Sequence, residues 1–134
     1  MTITPLYAGI LSLMFVYLSF RVIGMRRAAH IGLGDGGNPL LVRRLRVHGN
    51  FAEYVPLALV LMLLMELQEK PDWLIHGIGI ALLCGRLIHT VGVGREPENY
   101  KIRTVGIALN FAALIAGAMS NLGLNGIAML LAST

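Results

Sequence analysis

Charge is scarce in this sequence. Of 134 residues only 13% are charged and 56% are hydrophobic, whereas an ordinary soluble domain carries roughly a quarter charged residues. That shortage excludes a water-soluble globular domain. Cysteine is nearly absent too: Cys84 alone permits neither an intramolecular disulfide framework nor a cysteine-rich metal cluster, and it reads as inert packing within an apolar run. No basic stripe on a soluble fold is present, so the formal charge of +4 does not point to nucleic acid. The opening Met1-Thr-Ile-Thr-Pro lacks a basic n-region, and no small-residue cleavage site follows Leu6 to Phe20. The first apolar segment is therefore read as retained. No internal repeat and no low-complexity tract occurs.

What is present is a succession of long apolar runs. A hydrocarbon core about 30 Å thick takes roughly 20 apolar residues per helical crossing, and the chain has room for four, at about 3–23, 51–66, 73–93 and 103–122, forming a single transmembrane domain over 1–134. The glycine-rich stretch from His30 to Asn38-Pro39 is turn chemistry, and helical pattern resumes at Leu40. Glu66-Leu-Gln-Glu-Lys-Pro-Asp72 makes a short polar link, so the second and third segments form a hairpin. Trp73 opens the third at an interfacial position. The tail after Ser120 is broken by Asn121, Gly123, Asn125 and Gly126, and its end is not defined by pattern. Arg21, Arg26, Arg27, Arg43, Arg44 and Arg46 flank the first loop, Arg95, Lys101 and Arg103 the third, and Lys70 alone the second. The positive-inside rule then makes loops one and three cytoplasmic and both termini extracytoplasmic. Arg26, Arg27, Arg44 and Arg95 read as topology-setting surface charges, and His30 and His76 as solvated or interfacial.

Ionisable groups inside a span are costly in hydrocarbon and face a bundle interior or a polar cavity. In the second segment Arg43, Arg46, Asn50 and Glu53 recur at spacings of three, four and three, which puts them on one helical stripe. The third segment adds Arg86 and His89, with Thr90 beside them, and the fourth adds Arg103, Thr104 and Asn110. Three spans thus bring polar groups to one membrane depth. Glu53, the only acid among them, is expected to neutralise one arginine and leave a net positive, partly buried pocket. Gly77, Gly79, Gly85, Gly106 and Gly117 are expected to permit close helix contact.

The pattern Arg43-x-x-Arg46-x-His48-x-Asn50-x-x-Glu53-Tyr54-x-Pro56, with Gly85-Arg86-x-x-His89-Thr90 and Ile102-Arg103-Thr104-Val105, resembles the MAPEG family, the membrane-associated proteins of eicosanoid and glutathione metabolism. The resemblance spans all four segments, and the glycine-rich loop is similar to that of small bacterial members. It implies an all-α, four-transmembrane-helix bundle assembling as a homotrimer, in the inner membrane if the source is bacterial. It implies glutathione as cosubstrate, bound between subunits by residues matching Arg43, Arg46, Asn50, Glu53, Tyr54, Arg86 and His89. The catalytic residue beside the sulfur would be Arg103, and no metal is implied. Val93 stands where some eicosanoid enzymes carry a tyrosine, which argues against a specific prostaglandin or leukotriene activity.

Physical chemistry agrees with that implication. Glutathione carries two carboxylates, which arginines bind bidentately, and Glu53 can receive its ammonium. A thiol of pKa about 8.5 is mostly protonated at neutral pH, and a fixed guanidinium stabilises the thiolate. Arginine stays protonated, so its role is electrostatic. The reading is a glutathione-dependent transferase or peroxidase acting on lipophilic electrophiles or lipid hydroperoxides. The alternative is a non-catalytic lipid-binding or lipid-presenting membrane protein.

Overall fold

In the computed structural model the described residues are 2–94 and 99–132, with side chains described as far as residue 123. All regular structure among them is helical: α1 (Ile3–Ala28), α2 (Pro39–Leu67), α3 (Asp72–Gly94) and α4 (Tyr100–Ala132). Each is long and apolar enough to cross a membrane, α4 over Tyr100–Gly123. The α1 and α2 helices extend well past the apolar runs read from sequence, because their arginine-bearing turns are helical as well. At about 1.5 Å per residue, the 29 residues of α2 exceed a 30 Å hydrocarbon core. Arg95 and the remainder of 95–98 lie outside the described residues, as does the side chain of Asn125.

The helix ends follow local chemistry. Asn38 caps α2 by accepting from the Leu41 amide at 3.0 Å, with Pro39 at the first helical turn. Asn99 accepts from the Ile102 amide at 3.1 Å at the start of α4. The first turn of α1 has no cap of its own. Instead Glu66, from the far end of α2, accepts from the amides of Thr2, Ile3 and Thr4, the last two at 3.0 and 2.9 Å, and so satisfies donors that a membrane helix cannot leave bare. A residue read as loop charge is thus the clasp between α1 and α2. The α4 helix breaks at Gly123, whose φ of 56° and ψ of 167° are not helical; glycine makes that left-handed φ inexpensive.

Side-chain packing holds the bundle, since lipid tails give apolar helix faces no preference for one another. Leu11, Met62, Met65 and Leu82 are fully buried in its core, and Leu41 is fully buried at the start of α2. The tightest approach is between α3 and α4. A Cβ on Gly106 would stand 2.5 Å from the His89 amide nitrogen, one on Gly92 2.6 Å from that of Arg103, and one on Gly85 2.8 Å from the Asn110 amide. Gly79 receives the Tyr7 ring and Gly117 the Leu61 side chain. Gly77, by contrast, faces open space, so its expected packing role does not hold. Cys84 is also exposed on the bundle surface rather than packed within it.

Candidate functional site

The site is built on α2. The spacing of Arg43, Arg46, Asn50 and Glu53 does place them on one face, and that face opens into a cleft of about 190 Å³. The cleft is completed by His89 and Val93 from α3 and Arg103 from α4, with Gly49, Val42 and Leu45 filling its α2 side. Three arginines and one carboxylate therefore converge on a space suited to a small anionic or zwitterionic ligand. Among the described residues no cluster of three or more histidine, cysteine or carboxylate side chains is placed to hold a metal.

Arg86 lies behind this cleft, not in its lining. It is 1% exposed and its guanidinium is gripped on three sides. Nε donates to Asn110 Oδ1 at 2.8 Å, and Nη1 donates to Asn50 Oδ1 at 2.7 Å and to the Asn50 carbonyl at 3.1 Å. The Tyr54 ring covers it, with the guanidinium carbon 5.6 Å from the ring centroid, a favourable cation–π placement. Tyr54 is itself packed edge-on against Phe111. Nη2 is buried with no partner in the structure. Asn110, 1% exposed, also donates its amide to the Gly106 carbonyl, so its orientation is fixed with the oxygen toward Arg86.

Glu53 is exposed at the cleft, which it shares with Arg43, Arg46 and Arg103, while the buried Arg86 is bound by two asparagine side chains and a backbone carbonyl. The cation keeps its charge balanced by dipoles, and Glu53 stays available to the cleft. His89, 4% exposed, lies in the tight α3–α4 contact, its backbone against Gly106.

Of the eight residues expected at the site, six line one cleft: Arg43, Arg46, Asn50, Glu53, His89 and Arg103. Tyr54 and Arg86 support it from behind. Asn110 has a larger part than its isolated position in α4 suggested, for the signal was present as a lone amide in an apolar run but its partner is a long-range contact. Gly92, which admits the Arg103 backbone, carried no distinguishing pattern. His48 points away from the cleft, stacking on Phe15 at 4.6 Å with Nε2 3.0 Å from Ser19 Oγ. His76 is engaged by the Tyr7 hydroxyl, which lies 3.1 Å from Nδ1 and donates to the His76 carbonyl.

A four-helix membrane protein with an arginine-lined polar cleft near one end of the bundle is what these observations define. The MAPEG family model matches residues 4–123, and the chain belongs to that family. It is 37% identical over 120 residues to the inner membrane protein YecN of Escherichia coli K12, covering 90% of each chain, and equally so to YecN of the O6:H1 strain. The protein is thus a multi-pass membrane protein with the four-helix fold of its family.

Proposed function

We propose that the protein is a membrane-bound, glutathione-dependent transferase or peroxidase acting on lipophilic electrophiles or lipid hydroperoxides. The observation that carries this reading is the single cleft in which the α2 stripe of Arg43, Arg46, Asn50 and Glu53 meets Arg103. Family membership supports it. In this reading the arginines of the stripe bind the two carboxylates of glutathione and Glu53 its ammonium. Arg103, on another helix, sits at the thiol and stabilises the thiolate by a charge-assisted hydrogen bond. The thiolate attacks an electrophilic carbon, expelling its leaving group. With a hydroperoxide it attacks the distal oxygen, the O–O bond breaks, a lipid alcohol leaves once protonated, and a second glutathione thiol reduces the sulfenic acid to water and the disulfide.

The working unit in this proposal is a homotrimer in the inner membrane, the compartment named for the relative YecN. Physical support comes from Glu53 and Arg46, which are exposed on the flank of one subunit, with Glu53 midway along α2. Such groups are too costly to present to hydrocarbon, and a neighbouring copy would cover them and close the cleft. Calorimetric titration of the purified protein with glutathione, paired with turnover of an aryl halide, tests the proposal. Saturable binding with thioether formation is expected. Lipid binding without glutathione binding would favour a lipid-presenting protein instead.

A further inference from the structure

A second crevice lies at the arginine-rich end of the bundle, between α1, α2 and the end of α3, lined by Leu18, Arg21, Leu40, Arg43, Arg44 and Gly94 among others. Arg44, which sequence assigns to topology, is built into it. Its Nη1 donates to the Arg21 carbonyl at 2.9 Å, while its Nε is buried without a hydrogen-bond partner. The Arg21 guanidinium stacks over the Tyr17 ring at 5.9 Å and reaches toward Gly94. No carboxylate is among the described lining residues. The crevice continues, through Arg21 and Gly94, into a groove of about 380 Å³ between α1 and α3, walled by Met14, Tyr17, Leu87 and Val91. A cationic head site and an apolar slot are therefore one continuous surface, with the slot facing the region that acyl chains occupy.

We propose that this surface is a binding site for an anionic phospholipid, its phosphate held between Arg21 and Arg44 and one acyl chain lying in the α1–α3 groove. Guanidinium groups pair readily with phosphate oxygens, and basic pockets between transmembrane helices recognise acidic headgroups. The apolar groove selects a lipid over a free anion, and the two guanidinium groups, with no carboxylate among the described lining residues, favour an anionic headgroup over a zwitterionic one.

Native mass spectrometry of the full chain from mixed micelles tests this, with phosphatidylglycerol compared against phosphatidylcholine. Phosphatidylglycerol should be retained and phosphatidylcholine lost. Arg44→Gln should lower retention about fivefold, the worth of one arginine near an anionic surface, while Arg27→Gln, on the exposed end of α1, should change it little. Leu87→Trp fills the groove from a half-exposed position and leaves every arginine in place, so it should lower retention as well and decides the matter should Arg44→Gln not fold. Equal retention of phosphatidylcholine would overturn the proposal. So would an equal loss in Arg27→Gln, which would mean diffuse surface charge. Thermal protection by inorganic phosphate as strong as that by phosphatidylglycerol would overturn it in favour of a simple anion site.

Discussion

Arg86 and Asn110 are joined across the tightest helix contact in the molecule, Nε to Oδ1 at 2.8 Å, and both are 1% exposed. The Arg86 guanidinium also holds Asn50 of the cleft-facing stripe, so one buried cation ties α4 to the α2 face that forms the candidate site. Asn110→Ala should leave a charged donor unsatisfied and cost about 2 kcal/mol. Asn110→Ala measured with Arg86→Met in a double-mutant cycle, by reversible unfolding in detergent, should give a coupling energy above about 1 kcal/mol. Additive effects would show that the bond contributes little.

The α3–α4 glycines make a sharper steric prediction. Gly106→Ala and Gly92→Ala place a methyl group against backbone that has no means of rotating away, so each should cost about 1–3 kcal/mol and separate His89 from Arg103. Gly77→Ala meets nothing and, exchanging glycine for a better helix former, should be neutral or slightly stabilising. Thermal unfolding of the three variants in one detergent checks the contrast. Equal behaviour of Gly77 and Gly106 would contradict the close packing.

Much of this was legible in the amino-acid order, and for a physical reason. A bilayer demands long apolar runs and penalises every charge inside them, so Arg86 and the α2 stripe that includes Glu53 stand out against a plain background. Periodicity then placed Arg43, Arg46, Asn50 and Glu53 on one face, as found. What periodicity cannot carry is pairing across helices. The pairing of Asn110 with Arg86 depends on how closely α3 and α4 approach, which in turn depends on three glycines whose contacts lie far apart in sequence. The clasp from Glu66 to the start of α1 is hidden for the same reason, being a contact across 62 to 64 residues.

The distribution of lysine and arginine predicts the orientation, with the loops between α1 and α2 and between α3 and α4 rich in them and the loop between α2 and α3 poor. Reporter fusions at the two termini should be active on the extracytoplasmic side, and one inserted in 32–38 on the cytoplasmic side. A cytoplasmic C-terminus would contradict this orientation.

Glu53 is exposed at the cleft in a single subunit, so Glu53→Ala should act on ligand and assembly before it acts on the fold. Glutathione affinity should fall about tenfold or more, consistent with loss of a charge-assisted contact, and native mass spectrometry should give three times the 14.5 kDa chain for the unaltered protein and a smaller trimer fraction for the variant. Unchanged affinity would remove Glu53 from the ligand site.

In the proposed function Arg103 stabilises a glutathione thiolate in this cleft, and ultraviolet difference absorbance of the complex at neutral pH tests that role. Glutathione added to the unaltered protein should give a thiolate band. Arg103→Ala should still bind glutathione, several-fold more weakly, while the band disappears and turnover falls about 10²–10³-fold, as for loss of one preorganised donor to a developing anion. A thiolate band and turnover both intact in Arg103→Ala would contradict the account.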